Sequence, residues 1–192
     1  MKKLTVLFCA LCVLGLPAFA GIDQGIDKGM IHLSVMGGFA APISEYEGDI
    51  AYGSNGATYG AQLMLHGTQY FGIGAEINMT NYEKEKTNGV EYSADMTRFL
   101  VAMKFTFTPE AKTRFYIPLG VGMAKYKAKS GLDESCTKPA AYAGLGVEAD
   151  LNDIFIIGGE ARYNAWMLDK EKFNDTKYLS DVSLLLKVGI KF

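Results

Sequence analysis

His32 and His66 are the only imidazoles in the chain, and Ser34 stands two residues from the first. A serine beside an imidazole base is the pairing that activates an oxygen nucleophile. Two histidines could also begin a metal site, although a pair without further ligands is a weak signal for one. A second group carries charge: Glu76, Glu148, Asp150, Glu160 and Asp181 against Arg98, Lys104, Arg162, Lys187 and Lys191. The stretches that hold these residues alternate. In YFGIGAEINM (70–79), AGLGVEADL (143–151) and FIIGGEARY (155–163), large apolar residues take one phase, and glycines with a bare carboxylate take the other. GIGAE and GLGVE do not complete the G-x-G-x-x-G of a dinucleotide site, and neither opens a helix.

The elements that carry these residues follow from the alternation, because period two is the signature of strands with one apolar face. Eight such runs occur after residue 29. They begin with 30–41, 58–66, 70–82 and a long run ending at 107. They continue with 114–124, 140–151, 155–166 and 182–192. Short connections (near Thr68, 108–112 and 152–153) have the length and residue types of hairpin turns. Long polar ones (42–56, 83–91, 127–138 and 168–178) take the other end. An even number of strands, with short turns at one end and long loops at the other, predicts an all-β, eight-stranded antiparallel up-and-down transmembrane β-barrel over 30–192, with both termini on the short-turn, periplasmic side.

Residues 1–20 read as a cleaved signal peptide. Lys2 and Lys3 precede an apolar run, and AFA (18–20) is a small-x-small cleavage site. Residues 21–29 form a polar spacer. Removing the leader takes the formal net charge from −2 to −4, so the mature chain has no general field for phosphate and nucleic acid is a poor partner. Cys9 and Cys12 leave with the leader. Cys136 is then expected as an unpaired loop cysteine.

If the apolar set faces lipid, the other set faces a bore barely wide enough for its own side chains. Gly72, Gly74, Gly120, Gly122, Gly144, Gly146 and Gly158 fall in the inward phase, where glycine is a requirement of space. The charged groups share that phase. Desolvating an ion costs several kcal/mol, so Glu76, Arg98, Lys104, Glu148, Asp150, Glu160, Arg162, Asp181 and Lys187 are expected to form a paired network in the bore, with Lys191 beside it. His32 and His66 also point inward, on adjacent strands near the short turns, and no third orienting carboxylate is evident. They are read as filling the bore, with no catalytic residue, metal or cofactor expected. Phe71, Phe107, Phe115, Phe155 and Phe192 at the turn end, with Phe39, Tyr59 and Tyr163 toward the loops, make two aromatic girdles. A soluble barrel would turn the pattern inside out, and its solvated face would be crowded with Lys, Glu and Thr rather than glycine.

The last run, VSLLLKVGIKF, closes on Phe192 with Val188 and Ile190 in phase, and resembles the C-terminal signal read by the outer-membrane assembly machinery. FYIPLGVGMA and AYAGLGVEADL resemble the glycine-alternating strands of the outer-membrane β-barrel domain family, the small eight-stranded OmpA/OmpX-type barrels, although Pro118 and Gly120 are displaced from the family's usual spacing. The resemblance implies a bacterial outer-membrane location and contact with membrane lipid and lipopolysaccharide. It also implies a structural or surface-interaction scaffold, of the adhesion or host-defence-evasion type, whose loops can take a surface ligand. Tyr46, Tyr52, Tyr82, Tyr92, Tyr126 and Phe173 are candidate loop anchors for a protein partner. A small passive, porin-like channel is the alternative. A lipid-modifying enzyme is a third reading, but such enzymes of this membrane work at the outer leaflet, and the histidine pair lies at the other end.

Overall fold

The computed structural model describes residues 31–43, 55–87, 90–128, 135–167 and 178–192; at 84–87, 90–92 and 128 only the backbone is described. The leader, the spacer, and the proposed anchors Tyr46, Tyr52 and Phe173 lie outside these residues, as does the side chain of Tyr92. Eight strands follow one another: β1 (Ile31–Pro42), β2 (Gly56–His66), β3 (Phe71–Thr87), β4 (Val90–Thr106), β5 (Thr113–Ala128), β6 (Ser135–Asp150), β7 (Phe155–Met167) and β8 (Tyr178–Lys191). Each pairs antiparallel with the next, and β8 returns to β1, which closes the barrel.

The stagger, which no local pattern in the sequence encodes, is set by the register. From Val147 the hydrogen-bonded rungs run through Gly159, Leu186, Gly37, Tyr59, Met79, Thr97 and Lys125. They re-enter β6 at Thr137, ten residues away (147 − 137 = 10). With strands ~4.8 Å apart and ~3.3 Å per residue, that shear tilts the strands by about 40°, within the usual range for a barrel.

Burial alternates along the strands as the period-two pattern requires. In β1, Ile31, Leu33 and Val35 are exposed on the outside while His32, Ser34 and Met36 are buried within. The turns are pinned by side chains. The Thr68 hydroxyl accepts from the backbone N–H groups of Tyr70 and Phe71 (3.2 and 3.1 Å), and the Asn152 amide oxygen accepts from those of Ile154 and Phe155 (2.8 and 2.7 Å).

Some expectations need correction. β3 and β4 stay paired as far as Thr87↔Val90, with a register shift between Tyr82 and Glu85, and β5 and β6 as far as Lys127↔Ser135. Strand therefore takes up most of the expected loop 83–91 and both ends of the expected loop 127–138. Beyond the hydrocarbon both faces of a strand can be polar, so the apolar alternation stops while the backbone ladder continues. Phe71 points outward in phase, yet it is only 6% exposed because its ring packs on Phe105 directly opposite, at 5.1 Å between centroids. Phe107, Phe115, Phe155 and Phe192 are exposed on the turn-side girdle, as are Phe39, Tyr59 and Tyr163 toward the loops.

Leu186 is the most sensitive test of which side faces hydrocarbon, being 73% exposed between the two girdles. Leu186→Lys should destabilise the barrel by about 2–4 kcal/mol in lipid vesicles. Urea titration followed by the mobility difference between boiled and unboiled samples would measure it.

Candidate functional site in the barrel bore

The bore is filled in three tiers, whose order along the axis follows from the register. At the loop end, Asp181 of β8 is wholly buried and takes hydrogen bonds from Arg98 (2.5 Å), Tyr82 (2.6 Å) and Asn164 (2.6 Å), which come from β4, β3 and β7. Arg98 also donates to Asn78 and lies over the Trp166 ring. An apolar layer that includes Met96, Leu100, Tyr126, Cys136 and Leu179 packs around this tier.

Glu76 and Glu160 hold the middle tier. Arg162 bridges them, donating to Glu76 at 2.5 Å and pairing with Glu160, while its guanidinium sits over the Tyr142 ring at 4.1 Å. Lys187 links Glu160 (3.1 Å) to the Gln62 carbonyl (2.7 Å), and Gln62 in turn donates to Glu76 (2.8 Å). Tyr116 donates to Glu160 and Tyr142 to Glu76. The ring of bonds is closed: two acids, two bases and three neutral donors drawn from six strands.

At the turn end Glu148 pairs with Lys104 (2.5 Å) and Arg114 (3.1 Å), and Asp150 pairs with Arg114 (2.5 Å) and Lys191 (2.8 Å). The structure thus brings together all nine predicted network residues, and Lys191 with them, in ion pairs. Arg114 was missed, as were the neutral partners Gln62, Asn78, Tyr116, Tyr142 and Asn164. All sit in the inward phase of their strands. Extending the phase count from charges to hydrogen-bonding groups would have found them.

Two other expectations change. Tyr82 and Tyr126 are buried in the bore rather than displayed in loops, and Tyr82 serves Asp181. Cys136 is a buried thiol on the inner face of β6 within the apolar layer, not in a loop.

The inward glycines divide by what they avoid. Gly120 faces Tyr142 across the β5–β6 ladder, and Tyr116 faces Gly146. A Cβ on either glycine would strike the opposed ring. Each glycine is the slot for a tyrosine that reaches an acid of the middle tier. At Gly74, Gly122 and Gly144 the obstruction is instead the carbonyl of the neighbouring strand.

His32 and His66 meet near the short turns, with ring centroids 4.1 Å apart and tilted by 45°. The Ser34 hydroxyl and both His66 ring nitrogens are buried with no hydrogen-bond partner among the described residues. Ser34 is therefore not joined to either imidazole as a nucleophile must be to its base. Among the described residues no group of three or more His, Cys, Asp or Glu side chains could hold a metal.

A closed antiparallel barrel of eight strands, apolar outside between two aromatic girdles and charge-paired within, defines a membrane-spanning outer-membrane barrel. The chain belongs to the outer membrane protein beta-barrel domain family, whose model matches residues 6–192. Similar folds include Neisserial surface protein A (14% identity, TM-score 0.64, covering 87% of this chain and all of that one). The attachment invasion locus protein Ail of Yersinia pestis is also similar (18%, 0.54, covering 86% and 100%). So is the outer membrane protein OprG of Pseudomonas aeruginosa (15%, 0.54, covering 88% and 98%). No curated protein matches the chain by sequence.

Glu160→Leu leaves Lys187 without its acid and Arg162 with Glu76 alone, and should cost roughly 3–5 kcal/mol. Adding Lys187→Met should recover much of that loss, and urea titration of both variants in detergent measures the difference. Gly146→Ala, which pushes on the Tyr116 ring, should cost about 1–3 kcal/mol by the same assay.

Proposed function

We propose that this chain is a non-conducting outer-membrane scaffold, a structural or surface-interaction barrel of the adhesion or host-defence-evasion type, whose work is done by what it displays outside the bilayer. One observation carries the reading: ion pairs and tyrosines fill the bore in three successive tiers, so ions would have to break buried bonds to pass. A passive channel needs an unbroken polar path, and the apolar layer around Trp166 and Leu179 opposes one. In this reading the long loops meet a surface ligand, the short turns and both termini face the periplasm, and the outer wall contacts phospholipid and lipopolysaccharide.

The terminal strand fits a role as the signal for the assembly machinery. Val188 and Phe192 are exposed on the outer face, Ile190 shares their phase, and the Phe192 N–H donates to the Ile31 carbonyl at 2.9 Å across the closing seam. The likeness to Ail, a protein named for attachment and invasion, is a likeness of fold and does not choose the ligand.

Planar-bilayer recording tests the reading. The refolded protein, verified by its heat-shifted gel mobility, should give no steady single-channel steps. Reproducible ohmic steps would replace the scaffold with a pore.

A further inference from the structure

The outer wall carries a groove of about 570 Å³ that the filled bore does not explain. It lies between two neighbouring outward rungs of the sheet. One runs Phe39, Leu184, Ala161, Leu145, and the other Gly37, Leu186, Gly159, Val147, Phe115. Gly37, Gly159 and Ala161 are the low ground. Leu145, Leu184 and Leu186 rise beside them and are among the most exposed apolar side chains of the protein. The groove crosses four interstrand spacings, about 19 Å at ~4.8 Å each. It is oblique, because rungs lie across strands that are themselves tilted, and Phe39 and Phe115 stand at its two ends.

These limits select the occupant. Phe39 and Phe115 flank its ends and its side-chain lining on the outer wall is apolar, so the groove opens to hydrocarbon. A length of about 19 Å is comparable with one leaflet of a hydrocarbon core ~30 Å thick. A second copy of the barrel is a poor filler, since two convex cylinders touch along a narrow line and cannot follow an oblique trough. A single flexible acyl chain can follow it. We propose that the groove opened by Gly37, Gly159 and Ala161 between these two rungs is a phospholipid site that holds one acyl chain along its length. The chain gains dispersion contacts there that it lacks against a uniformly leucine-covered wall.

Native mass spectrometry tests the proposal on protein reconstituted in dimyristoyl phosphatidylcholine nanodiscs and transferred to mild detergent. The unmodified protein should keep one phospholipid. Gly159→Leu combined with Ala161→Leu, which fills the trough with residues suited to a lipid-facing wall, should lower the lipid-bound fraction at least fivefold with the heat-shifted gel mobility intact. Ala75→Leu, on the outer face of β3 away from the groove, should leave retention unchanged. Equal retention by the filled variant, equal loss in the Ala75 control, or no retained lipid on the unmodified protein would each overturn the proposal. A dimer that the filled variant dissociates would assign the groove to a second copy instead.

Discussion

Ions in the bore of this barrel must be partnered where they stand. The space is too narrow for bulk water, and each ion withdrawn from water carries a penalty of several kcal/mol that only close, well-aligned partners offset. Much of the interior follows from that. Acids and bases alternate around the middle tier, Arg162 reaches two carboxylates at once, and neutral donors take up remaining lone pairs on Glu76, Glu160 and Asp181. Arginine rather than lysine occupies the bridging position, where a planar fork can serve two acids while stacking on a tyrosine ring.

Packing and electrostatics are joined at the tyrosines. A phenol long enough to reach a carboxylate across the bore needs floor space on the neighbouring strand, and the Gly120–Tyr142 and Tyr116–Gly146 pairs supply it twice, in opposite senses, on a single ladder. Loss of a glycine there would act through the charge network as well as through volume, because the displaced ring is also a hydrogen-bond donor. The alternation of glycine and acid in GLGVE is thus the local trace of contacts made across the barrel.

Much of this architecture was legible in the sequence because a two-faced strand writes its burial into every second residue. The eight strands, their phases, the outward girdles and the inward direction of the charges all follow from that rule. What was not legible was whatever depends on stagger. Asp181 meets Arg98 from the far side of the barrel, 83 residues away, and no local pattern encodes a shear of ten. Strand length is underread at the ends of β3, β4, β5 and β6, where the apolar phase is lost but the ladder continues as far as Thr87↔Val90 and Lys127↔Ser135. Tyr82 and Tyr126 were misassigned for the same reason: beyond the membrane the sequence no longer distinguishes an inner face from a loop.

The seam between β1 and β8 gives the closed sheet a temporal meaning. Asp181 belongs to the last strand, and Arg98, Tyr82 and Asn164 all wait for it. A chain still missing that strand has Arg98 uncompensated at the loop end and two raw edges exposed at once. The same fourteen residues thus end the exposure of both edges and bring in the acid that Arg98 requires, so sealing the sheet and neutralising its loop end are one structural event.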